Sequence, residues 1–178
     1  TTLSPANCAS PKSVFVDGEN EVVVVCRGAA EQSPAVLFMD PTTEEVVDRV
    51  ALDAPIGSIN ATQSAYYSEA AEELYAISGN SAFGGGGTGE IFRVNTDANA
   101  LSATLEVPQN DGLIGLSAVG YDFVNQDLYV TRLPVNDSGG PLYSADGTAL
   151  VLDRQGNVVT RFETGNAPAH VAFLRDPQ

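Results

Sequence analysis

The most closely spaced carboxylates in this chain are Asp17, Glu19 and Glu21, with Asn20 among them. Oxygens at that density suit a hard cation such as calcium, which takes about six to eight of them from a folded loop. The spacing does not follow an EF-hand, and a polar hairpin turn uses the same residue types without any metal. No cofactor is therefore expected, and calcium at Asp17, Glu19 and Glu21 is the metal candidate. Asn136, Asp137 and Ser138, in a glycine-rich stretch, offer a poorer oxygen set.

Nucleophilic or acid–base chemistry has little to work with. His170 is the sole histidine, so a Ser-His-Asp relay or a histidine metal site would have to form around it. The run Gly84-Gly85-Gly86-Gly87-Thr88-Gly89 lacks the Gly-Lys-Ser/Thr ending and following helix of a phosphate-cradling loop. It reads as a connection between two strands. No catalytic residue and no cofactor-binding residue is assigned.

Cys8 lies in a proline-bracketed, serine-rich segment, and Cys26 closes the apolar run Val22 to Cys26. A disulfide between them would tie the N-terminal segment to the first sheet and stabilise the fold by about 3 kcal/mol. Two free thiols are the alternative. Asn60, in Asn60-Ala61-Thr62, and Asn136, in Asn136-Asp137-Ser138, are possible glycan acceptors in a eukaryotic secretory pathway. The tyrosines Tyr66, Tyr67, Tyr75, Tyr121, Tyr129 and Tyr143 suggest a carbohydrate face, but most fall at strand positions where packing accounts for them. The absence of tryptophan weakens the carbohydrate reading further.

Composition narrows the partners. With 23 acidic against 8 basic residues, the net charge of −15 repels phosphate backbones and argues against nucleic-acid binding. No run approaches the roughly 20 apolar residues of a membrane span, so membrane insertion is not expected. The chain opens at Thr1 without a basic and then apolar leader, which fits a mature secreted chain, a fragment or a cytosolic protein equally.

The elements that must position these residues recur along the chain. Three segments share one order: a short strand, a polar turn, a strong strand, a variable loop, a third strand, a turn and a fourth strand. The first runs Ser13–Val16, Glu21–Arg27, Ala35–Met39 and Glu45–Leu52. The second runs Ser64–Tyr67, Glu73–Ile77, Glu90–Val94 and Ala100–Val107, and the third runs Val119–Phe123, Asp127–Thr131, Ala149–Leu152 and Val158–Glu163. Turn residues Asp40, Asn95 and Asp153 recur at separations of 55 and 58, and strand openers Val22, Leu74 and Leu128 at 52 and 54. Those periods approach the roughly 40–50 residues of a four-stranded propeller blade. Such a blade cannot bury both faces alone, so neighbouring blades must supply the core. The Ala/Glu patch Glu69 to Glu73 is too short for a stable helix and falls at a hairpin turn.

Ala9 to Asp17 with Glu21 to Arg27 and Val46 to Leu52, together with Asp127-Leu128-Tyr129-Val130-Thr131 and Ala167 to Phe173, resembles the YVTN-type β-propeller repeat. The resemblance implies an all-β propeller and, from its relatives, an exported and often surface-associated protein. Complete rings of that family hold roughly six to eight blades. Here the pattern predicts three four-stranded antiparallel blades over about 13–55, 56–108 and 109–167. An N-terminal segment, 1–12, precedes them, and an extra strand at 168–178 opens a further blade, leaving a partial or self-completing ring. The expected function is a non-enzymatic, extracytoplasmic interaction or structural module, its partner another protein or further copies of itself through open blade edges. The alternative is a fragment of an exported propeller enzyme, lactonase-like or quinoprotein-like, with a metal or cofactor in its channel.

Overall fold

The computed structural model of the chain describes residues 8–59, 63–79, 89–108, 115–136 and 140–173. Twelve strands form three four-stranded antiparallel sheets, each a simple meander. Blade 1 holds β1 (Pro11–Val16), β2 (Val22–Cys26), β3 (Ala35–Met39) and β4 (Val46–Ala51). Blade 2 holds β5 (Ala65–Ser68), β6 (Glu73–Ser78), β7 (Glu90–Asn95) and β8 (Ala100–Glu106). Blade 3 holds β9 (Gly115–Asp122), β10 (Asp127–Leu133), β11 (Asp146–Leu152) and β12 (Val158–Asn166). Each expected strand of the three repeats is present, with ends shifted by a few residues. The Ala/Glu patch makes one 3-10 turn, Glu69–Ala71, inside the first hairpin of blade 2.

Burial follows the two-residue period of a strand. Along β6, Leu74 and Ala76 pack toward blade 1, against Val23, Val25 and Phe38. Tyr75 and Ile77 point the other way, into a second core with Leu116, Val119, Tyr121 and Leu128 of blade 3. A strand sandwiched between neighbours must be apolar on both faces, and every residue of β6 is indeed buried. The outer strands β4, β8 and β12 are mostly exposed.

Aspartate and asparagine side chains close the turns by accepting backbone N–H groups that no ladder satisfies. Asp40 Oδ1 accepts from the N–H of Thr42 at 2.6 Å, Asn95 Oδ1 from Ala98 at 2.6 Å, and Asp153 Oδ1 from Gln155 at 2.9 Å. In the first hairpin of each blade, a residue one or two positions before the second strand is left-handed: Asn20, Glu72 and Gln126 have φ of 63°, 51° and 59°. The connection after blade 1 is stitched into both later blades. Gly57 N–H donates to the Ile77 carbonyl at 3.0 Å, and Ile59 N–H to the Leu116 carbonyl at 2.8 Å.

Two features bear on the ends of the stack. Cys8 and Cys26 form a disulfide, their Cα atoms 5.3 Å apart, and Cys8 packs on the face of blade 1 that looks away from blade 2. The segment expected to open a further blade as a strand departs from that expectation over residues 168–173, which carry no ladder pairing. Pro168 has no N–H to offer, and Ala167 before it is left-handed at φ 49°. The segment instead lies on blade 3. The Pro168 carbonyl accepts from Ser117 Oγ at 2.6 Å, and Val171 N–H donates to Gln63 Oε1 at 2.8 Å. Residues 174–178 lie outside the described residues.

Candidate functional site

The buried ionisable side chains gather where blades meet. Glu73 opens β6 and is 6% exposed. Its Oε2 accepts from the Tyr75 hydroxyl at 2.5 Å, and its Oε1 accepts from Arg154 Nη2 at 2.6 Å. Arg154, in the β11–β12 turn of blade 3, also donates from Nη1 to the Tyr121 hydroxyl at 2.7 Å. Its guanidinium carbon lies 5.7 Å from the Tyr121 ring centroid, and Tyr121 stacks on Tyr75 with centroids 4.9 Å apart. Arg93 lends a second cation, its Nε 3.7 Å from Glu73 Oε1.

Electrostatics freezes these groups. Burial, then the hydrogen bond to Glu73 and its charge, push the Tyr75 phenol well above its ordinary range. Burial alone would lower the Arg154 guanidinium, but hydrogen bonds and charge from Glu73 and Tyr121 outweigh it and raise its pKa. The tyrosine is thus held neutral and the arginine charged. The cluster fixes protonation states and blade spacing, with both Glu73 oxygens taken up within it.

The same device joins blades 1 and 2 in a simpler form. Glu21, immediately before β2, accepts from Asn99 Nδ2 of the β7–β8 turn at 3.0 Å. Strand register makes Glu21, Glu73 and Asp127 equivalent: each lies opposite the turn-opening residue of the first strand, Asp17, Ser68 or Asp122. In both interfaces the acid belongs to the earlier blade and the donor to a turn of the later one.

The far face of blade 3 carries the third acid. Leu128 and Val130 pack toward blade 2, so the strand period turns Asp127, Tyr129 and Thr131 outward. Phe173 meets Tyr129 edge to face at 5.3 Å. Tyr129 and Thr131, together with Phe162, Thr164 and Phe173, border a groove of about 430 Å³; Asp127 is not among its lining residues.

The residues singled out in the sequence have these places. Asp17 caps its own hairpin, its Oδ1 accepting the N–H groups of Glu19 at 3.1 Å and Glu21 at 2.8 Å, while Glu21 faces Asn99. Among the described residues no three His, Cys, Asp or Glu side chains converge on a point that could hold a metal. His170 is exposed at the rim of the groove on blade 3, on the unpaired segment and not on a strand. Asn136 Oδ1 accepts from Gly140 N–H at 2.9 Å. Asn60, Asp137, Ser138 and the run Gly84 to Thr88 lie outside the described residues. Tyr66, Tyr67, Tyr75, Tyr121 and Tyr129 all stand on strands, and Tyr143 is exposed. The residues that sequence reasoning missed are Glu73 and Arg154. A signal for the first existed, since Glu21, Glu73 and Asp127 recur at separations of 52 and 54.

Comparison with known proteins establishes the fold alone. No protein-family model and no curated protein matches the sequence. Hydrazine synthase from Kuenenia stuttgartiensis superimposes with a TM-score of 0.57 at 12% identity, over 87% of this chain and 37% of that one. The dihydro-heme d1 dehydrogenase NirN gives a TM-score of 0.56 at 11% identity, over 89% of this chain and 29% of that one. The Dos1 propeller gives 0.51 at 10% identity, over 90% of this chain and 39% of that one. The chain therefore spans less than half the length of each structure, and its fold is a partial β-propeller.

Proposed function

We propose that this chain is a non-enzymatic, extracytoplasmic β-propeller module of YVTN type that binds a protein partner or further copies of itself. The observation that carries the reading is a contrast between blade faces. The faces between blades 1 and 2 and between blades 2 and 3 are sealed by complementary apolar cores and an acid–donor contact. The far face of blade 3 instead presents Tyr129, Phe162 and Phe173 around an open groove, with Phe162 48% exposed. Aromatic residues flanking a concave surface are typical anchors for another polypeptide. The disulfide suits an oxidising compartment, and a net charge of −15 suits a protein that must stay dispersed there. The YVTN assignment draws support from Asp127-Leu128-Tyr129-Val130-Thr131, which falls on the second strand of its blade.

Native mass spectrometry of the non-reduced protein tests the reading. Homo-oligomers, or an open series of assemblies without added ligand mass, support it. A monomer carrying metal or cofactor mass overturns it in favour of a second reading, a portion of an exported propeller enzyme of lactonase-like or quinoprotein-like type. That alternative draws on the two enzymes among the similar structures, of which this chain spans only 37% and 29%.

A further inference from the structure

We infer that the far face of blade 3 is an arginine-binding site for a partner polypeptide, built as a second copy of the site with which blade 2 holds Arg154. The inference rests on the reading of the chain as an interaction module and names the chemistry of its partner.

The correspondence is residue by residue. Asp127 occupies the register position of Glu73, and Tyr129, two residues on, that of Tyr75. Phe173 meets Tyr129 edge to face at 5.3 Å, at the place where Tyr121 stacks on Tyr75 at 4.9 Å. Alternation along β10 aims Asp127 and Tyr129 away from the core shared with blade 2. Asp127 is partly exposed, and beyond its ladder pairing with β9 its side chain makes no hydrogen bond or ion pair with a described residue.

The residue two positions beyond the acid indicates which donor each copy takes. Where it is Val23, the acid Glu21 receives the amide of Asn99. Where it is Tyr75, Glu73 receives the guanidinium of Arg154, which also lies over the ring of Tyr121, itself stacked on Tyr75. A planar cation gains from both carboxylate and ring, whereas an amide gains little from the ring. Asp127 followed by Tyr129 repeats the second arrangement. The net charge of −15 adds long-range attraction for a cationic partner.

A second copy stacked head to tail fits this site poorly. Its first blade would offer the Asp40–Glu45 turn, which has Pro41 at the Arg154 position and Glu44 at the Asn99 position. That turn brings a carboxylate toward Asp127 and no donor of the required kind. The packing of Cys8 on the matching face of blade 1 stands in its way as well.

The test is an NMR titration of the isotope-labelled full chain with a cyclic peptide copying residues 152–158, which presents Arg154 on its own turn. The expected result is saturable shifts at Asp127, Tyr129 and Phe173 that weaken as salt rises. Binding should fall at least tenfold when citrulline replaces the peptide's arginine, and equally for Asp127→Asn in the protein, whose remaining spectrum stays unchanged. No saturation at millimolar peptide, or equal binding by the citrulline peptide or by Asp127→Asn, overturns the site. Concentration-dependent shifts without peptide that vanish in Asp127→Asn would make a second copy the occupant and also overturn it. If the peptide is silent while native mass spectrometry still finds assemblies, only the arginine site falls and the module reading stands.

Discussion

Replacing Glu73 by glutamine keeps the shape of the blade 2–blade 3 contact and removes its charge. The Tyr75 hydrogen bond then becomes a neutral one, while the Arg154 guanidinium keeps its charge but loses the opposite charge it was paired with. Bonds to a charged group contribute about 1.5–3 kcal/mol and neutral ones about 0.5–1.5, so the Tyr75 change costs about 1 kcal/mol, and loss of the partly exposed ion pair costs up to about 1 kcal/mol more. Glu73→Gln should therefore destabilise the fold by about 2 kcal/mol. The Arg154 side chain is 32% exposed, so water takes up part of its loss and holds the cost below that of a fully buried pair. Urea unfolding followed by tyrosine fluorescence measures this without interference, because the chain has no tryptophan. Arg154→Met should cost a similar amount, and the double variant should cost about 1 kcal/mol less than the sum. A Glu73→Gln change under about 0.5 kcal/mol, or strict additivity with Arg154→Met, would refute the claim that this pair holds the blades together.

Three further outcomes follow from the same contacts. Because the Tyr75 pKa is raised above the unfolded value of about 10, its contribution is fully present below that pH and is lost as pH rises beyond it. Phenolate absorbance should show one tyrosine ionising only together with loss of the far-ultraviolet circular dichroism signal, and earlier ionisation of all six would contradict it. Reducing the Cys8–Cys26 disulfide, which closes a separation of 18 residues, should lower stability by about 3 kcal/mol in denaturant titrations. Gly120→Ala places a Cβ 2.6 Å from Val171 Cγ1 and should lift residues 168–173 off blade 3, seen as faster proteolysis near Phe173. An unchanged cleavage rate would show that the segment is held elsewhere.

Most of the architecture was legible because a sandwiched strand and a half-exposed strand leave different traces. The unbroken apolar run at β2 and the alternating, polar-rich β4 gave two positions in a blade before any coordinates. Asp40, Asn95 and Asp153 marked the third turn of each blade because a side-chain oxygen is needed there for unpaired N–H groups. The Glu73–Arg154 pair was hidden for a different reason. Its partners are 81 residues apart, and only the stacking of whole blades brings them together. Residues 168–173 misled for a third reason. Their apolar content suits a strand, but proline and a left-handed alanine remove the backbone geometry a ladder requires.

The acid–donor contacts give the stack an arrow. In both acid contacts the carboxylate sits on the earlier blade and its donor on the later, so the two ends of the series are chemically unlike. At one end Cys8 is tied by its disulfide to the face of blade 1, and the other end shows an acid beside a tyrosine. A structure with such polarity disfavours symmetric back-to-back pairing, since two acid-bearing faces would repel. On the proposed reading, a partner at that end arrives in one orientation, donor turn first.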